Sequence, residues 1–184
     1  MNILPFDELN AFKTRLSGHF FNGRIRSTDD VEDIIDEMLD LYLLAIANGV
    51  NEVNGQFGTN IQLSALEIEQ IAYQKIDGAT WEDRVWTWYE TGGTEADIAR
   101  IAETEAHRDG NAAAFDTAVK AGAKEKTWVC MMLPTSRDTH IYLNGTTVGI
   151  NDEFYTFAGN HAMYPGQFGV AEEDVNCLCQ ISFK

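Results

Sequence analysis

A chain of 184 residues with 45% hydrophobic and 11% aromatic residues has the means to bury a core, which excludes extended disorder. Its formal charge of −16 repels phosphate at long range and disfavours DNA wrapping. Three cysteines do not make a secreted disulfide framework, the opening MNILPFDELN has neither a basic nor an apolar leader region, and the longest apolar run, LYLLAIA, falls far short of a membrane span, so a reducing cytoplasm and no membrane role are expected.

Leu9, Phe12, Leu16 and Phe20 recur at helical spacing and predict a first helix that ends at Gly23. The weakly basic stretch FNGRIR, with Arg24 and Arg26, reads as solvated surface. A second helix carries the stripe Val31, Ile34, Ile35, Met38, Leu39, Tyr42 and Ile46. Asp29 and Glu32 imitate a capping box at its start, Asp33, Asp36, Glu37 and Asp40 form its solvated face, and Gly49 stops it before the loop NEVNGQFGTNIQ. Ser64 and Glu67 cap a third helix running towards Gly78. A fourth begins at Thr80, with Asp83 at its third position and Trp81, Val85, Trp88 and Tyr89 along a core stripe.

The next helix, 94–121, sets Ile98, Ile101, Ala112, Phe115 and Val119 on one face, and Glu105 falls on that face too. A carboxylate there has to find a donor or stay protonated, so Glu105 reads as a buried hydrogen-bonding residue. KAGAKEK, with Lys120, Lys124 and Lys126, again reads as solvated surface. From there the periodicity becomes β-like. TWVCMML predicts a strand, IYLNGTTVGI predicts a hairpin turning at Asn144–Gly145, and EFYTFAG and DVNCLCQISF predict two more strands around the loop GNHAMYPGQFG. The fold class is α+β: amino-terminal helices followed by a small carboxy-terminal antiparallel β-sheet or barrel-like module.

In the last strand Val175, Cys177, Cys179, Ile181 and Phe183 alternate onto one face, where a thiol behaves as a small hydrophobe. Residues two apart are about 6.5–7 Å apart, so no local disulfide is expected. Zinc at Cys177 and Cys179 needs two more ligands, from Cys130, His107, His140 and His161. SRDTH gathers Arg137, Asp138 and His140, either as an acid/base or phosphate-handling group or as hydrogen bonds tying the strands to Glu105. The chain has no nucleophile elbow, P-loop, GxGxxG turn or HExxH helix.

Taken together, DIARIAETEAHRDGN, KTWVCMMLPTSRDTHIYLNG and EEDVNCLCQISF resemble the phage minor head protein family, also called the Mu F-like or head-morphogenesis family. The positions that carry the resemblance are Thr104, Glu105, Asn111, Trp128, Arg137, His140, Gly145, Asn176, Cys177 and Cys179. Glu103, Leu133 and Leu178 stand where the family pattern has arginine, aspartate and arginine. The resemblance implies a helical region over 1–93 and a head-morphogenesis module over 94–184, in which these residues are structural and none is catalytic. It implies a low-copy, non-enzymatic virion protein, made in the host bacterial cytoplasm, that meets the portal or major capsid protein and aids head assembly, DNA packaging or DNA delivery. No cofactor is expected. The alternatives are a metal-dependent hydrolase or toxin-like module using zinc at His140, Cys177 and Cys179, and a packaging factor that binds DNA without sequence preference.

Overall fold

The computed structural model describes residues 5–184; the first four residues, part of the opening read above for a leader, lie outside the described residues. The helices come first: α1 (Phe6–Leu16), α2 (Thr28–Phe57), α3 (Ala65–Ala72), α4 (Trp81–Thr91) and α5 (Glu95–Ala121), with a ribbon of β1 (Phe20–Phe21) and β2 (Arg24–Ile25) between α1 and α2. The rest of the chain carries β3 (Glu125–Val129), α6 (Asp138–Leu143), β4 (Thr147–Gly149), β5 (Phe154–Tyr155), β6 (His161–Ala162), α7 (Ala171–Asp174) and β7 (Gln180–Phe183). Strands β4, β3 and β7 form an antiparallel sheet in that order, and β5 pairs with β6. The expected α+β class is therefore what the chain adopts.

Capping chemistry starts the helices. Ser64 with Glu67 and Thr80 with Asp83 form reciprocal boxes at α3 and α4, as their spacing predicts, and at α5 the Asp97 carboxylate accepts from the Thr94 N–H and hydroxyl. At α2 the cap is Ser27, whose hydroxyl accepts from Asp30 N–H; Asp29 and Glu32 play no such part. Helix α1 stops at Leu16, short of the expected Gly23, because the chain tightens into a 3₁₀ turn and then enters β1.

The larger correction is at Gly49, which does not stop α2. The helix runs on to Phe57 and ends at Gly58 in the left-handed conformation. Gly49 lies in the stripe Ile46, Gly49, Val53, where its missing side chain admits α5.

Helix α5 is the axis of the molecule. Its first half contributes Ile98, Ala102 and Ala106 to a core shared with α1, α4 and the first half of α2. Its second half contributes Ala112, Ala113, Ala114 and Ala118 to a core shared with Trp128, Leu143, Cys177, Cys179, Ile181 and Phe183. A helix covered on several sides needs small residues, which explains the alanine run. Val119, expected on the core face, is 42% exposed.

Three β expectations change. Strand β3 ends at Val129, and 130–137 is irregular, with Met132 at φ 53. The second arm of the predicted hairpin is strand β4, but its first arm is helix α6: His140 and Leu143 are buried while Ile141 and Tyr142 are exposed, a spacing of three rather than two. Asn144–Gly145 closes that helix, with Gly145 at φ 79 and its N–H donating to Trp128 O at 2.8 Å. The last strand is regular only over Gln180–Phe183, and part of the expected loop before it forms β6. Lys126, expected on the surface, is fully buried, its ammonium over the rings of Phe115 and Phe154 at 4.7 and 5.5 Å.

Candidate functional site

The segment between α7 and β7 has left the sheet, so its backbone groups need other partners. One face of α5 supplies them. Thr104 Oγ1 accepts from Asn176 N–H at 3.1 Å, while the Asn111 amide and the His107 ring meet Cys179 O at 3.0 and 2.7 Å. Residues 104, 107 and 111 follow helical spacing, so a single face of α5 holds 176–179 in place. Arg137, at the start of α6, donates to Val175 O from the other side. Asn176, at φ 59, makes the bend.

These contacts carry Cys177 and Cys179 to His140. Both sulfurs lie 3.5 Å from His140 Nδ1, and the donor atoms of the three buried residues all lie within 4.8 Å of one another. His140 is clasped by Trp128 and Phe168, with ring centroids 5.5 Å away in each case. Its Nε2 faces Glu173 Oε2 at 3.1 Å, and Glu173 also accepts from the Thr139 hydroxyl at 2.9 Å and the Asn160 amide at 3.0 Å. A cavity of about 30 Å³ opens beside the cluster, lined by Ser136, Arg137, His140, Cys177, Leu178 and Cys179 among others. The neighbouring Cys177 thiol and then burial push the Cys179 thiol up, and burial does the same for Cys130.

Of the four further zinc ligands weighed from the sequence, the fold brings His140 to the two cysteines. His107 is committed to the Cys179 carbonyl, and His161 is exposed beside Glu153 at 3.1 Å. Cys130 is buried near Cys179 but does not line the cavity.

Glu105 is fully buried, as its place on the core stripe predicts, and the partners are new. Arg84 on α4 donates to one carboxylate oxygen, and Arg108, one turn along α5, pairs with the other. Arg137 does not reach it; that arginine serves Val175. Beside the pair, burial pushes the Asp109 carboxyl well above the usual carboxylate range. Asp174 is pushed up to about 6 by burial while accepting from Phe168 and Gly169 N–H at 3.0 and 2.6 Å. Sequence reasoning missed Arg84, Arg108 and Glu173, and weighed His107 only as a zinc ligand. The positions of His107 and Arg108 beside Glu105 on one helix were the available signal.

An α5 helix whose polar face holds a cysteine-bearing terminal segment against a short His-bearing helix defines a compact α+β module. The chain belongs to the Phage Mu protein F like family, whose model matches residues 45–182. It is 37% identical over 98 residues to an NAD(+)–arginine ADP-ribosyltransferase of Enterococcus faecalis, covering 51% of this chain and 20% of that protein. It is 28% identical over 85 residues to the minor head protein GP7 of Bacillus phage SPP1, covering 45% of this chain and 28% of that protein. The chain thus spans less than a third of the length of either relative. No solved structure matches.

Proposed function

We propose that this phage head protein is a non-enzymatic minor component that works at the portal and the inner face of the capsid, aiding head assembly, DNA packaging or DNA delivery. The observation that supports it best is the family match over 45–182, together with the minor head protein among its relatives. The geometry agrees with a structural role for the motif residues. Thr104, Glu105, Asn111, Trp128, His140, Cys177 and Cys179 are all buried, and Thr104, Glu105 and Asn111 direct their polar groups at this chain's own backbone and side chains.

The acidic face of α2 is the surface proposed to meet portal or capsid protein, and the charge of −16 argues against DNA as the main partner. The likeness to the ADP-ribosyltransferase covers 20% of that protein, and we read it as a shared module without the transferase chemistry. The test is mass spectrometry of purified virions together with co-purification with the portal protein. Presence in heads and capture by the portal is the expected result; a protein missing from virions ends the reading. Incubation with NAD and an arginine acceptor is expected to transfer no ADP-ribose.

A further inference from the structure

We infer that His140, Cys177 and Cys179 form a binding site for a zinc-class divalent metal ion, with its fourth position open to a water in the adjoining cavity. This goes beyond the head-protein reading and does not rest on it.

The distances carry the inference. A tetrahedral zinc with bonds of about 2.3 Å to sulfur and about 2.0–2.1 Å to nitrogen holds its sulfur and nitrogen ligands about 3.6 Å apart. His140 Nδ1 stands 3.5 Å from each sulfur. A metal-free explanation accounts for half of this. Nδ1 has a single lone pair or a single proton, so it makes one good bond to a thiol, yet two sulfurs converge on it at the same distance.

The surroundings are those of a ligating histidine. The carboxylate of Glu173 lies 3.1 Å from the buried Nε2, which has no hydrogen-bond partner; once a metal takes Nδ1, Nε2 carries the proton and Glu173 is the acceptor in reach. Glu173 is itself fixed by Thr139 and Asn160, and the His140 ring by Trp128 and Phe168. Two thiolates and an imidazole select zinc-class ions over magnesium or calcium, which take oxygen donors. The cavity of about 30 Å³ touches all three ligand residues and has room for a water at the remaining corner of the tetrahedron.

The test uses the full chain purified without chelators. Elemental analysis is expected to give one zinc per chain, and titration of stripped protein with cobalt(II) to give sulfur-to-cobalt charge-transfer bands with the intense visible bands of a tetrahedral site. Substoichiometric metal, with no charge-transfer band at saturating cobalt, overturns the site. Glu173→Gln is expected to weaken cobalt affinity about 10–100-fold while keeping the band positions, and unchanged affinity overturns the role given to Glu173. Cys130→Ser is expected to keep the full charge-transfer intensity; loss of a third of it overturns the open fourth position. Virion incorporation and metal content are separate readouts, so failure of one reading leaves the other standing.

Discussion

Gly49 of α2 meets the Gly110 carbonyl oxygen of α5 with no side chain between the two helices. A β-carbon there would collide with that oxygen and come within 3.0 Å of Ala114 N, both of them backbone atoms that cannot rotate away. Gly49→Ala is therefore expected to destabilise the protein by about 1–3 kcal/mol despite alanine's better helix propensity. Gly55, on the same helix with open space around it, gives the opposite sign: Gly55→Ala is expected to stabilise by about 0.5–1 kcal/mol. Urea unfolding of the two variants checks the pair, and equal shifts would show that close approach does not govern α2.

Glu105 holds two arginines from different places in the chain, and Arg108 is as deeply buried as the carboxylate. Glu105→Ala leaves the buried Arg108 charge with only Asp109, 3.7 Å away, and Gln74 O beside it, and is expected to cost about 3–5 kcal/mol. The Arg84 side chain is 20% exposed and its loss leaves the Glu105–Arg108 pair intact, so Arg84→Ala is expected to cost less, about 1.5–3 kcal/mol. Denaturant midpoints with unchanged slopes would measure both. A Glu105→Ala protein as stable as the parent would contradict the burial of this network.

Lys126 supplies a pH dependence. Burial pulls its ammonium down to about 8, against the opposing pull of Asp152 and Glu153. Because the folded value lies below the unfolded one, folding releases a proton between about pH 8 and 10, and stability from this group rises with pH across that window. Below pH 8 the buried charge is a penalty. Lys126→Met, which fits among Phe115, Phe154 and Met163, is expected to melt higher than the parent near pH 7, with the difference narrowing towards pH 10. Thermal melts at several pH values check it; a constant difference would mean that the charge is not what separates the two proteins.

The helices and their caps were legible because helix formation is written in local spacing. Ser64 with Glu67, Thr80 with Asp83, and the stripe Trp81, Val85, Trp88 state their structure within a turn or two, and all are found as expected. Glu105 was legible as a buried carboxylate for the same reason. The errors arose where one local signal served two structures. A glycine ends a helix or lets two helices touch, and at Gly49 the second use won. Asn-Gly turns a hairpin or closes a helix, and at Asn144–Gly145 the inward demand of His140 and Leu143 chose the helix.

For the candidate site, the sequence by itself determined which residues face inwards: the alternation that buries Cys177 and Cys179, the helical period that buries Glu105, and the motif order that marks the family. Only the tertiary structure decided who meets whom. His140 lies 37 residues before Cys177, and Asn111 lies 68 before Cys179. Spacing along a chain fixes the face of an element, whereas these meetings depend on where α5, α6 and the terminal segment cross. That crossing is set by the backbone groups at 175–179, which left the sheet and found their partners in Thr104, His107, Asn111 and Arg137.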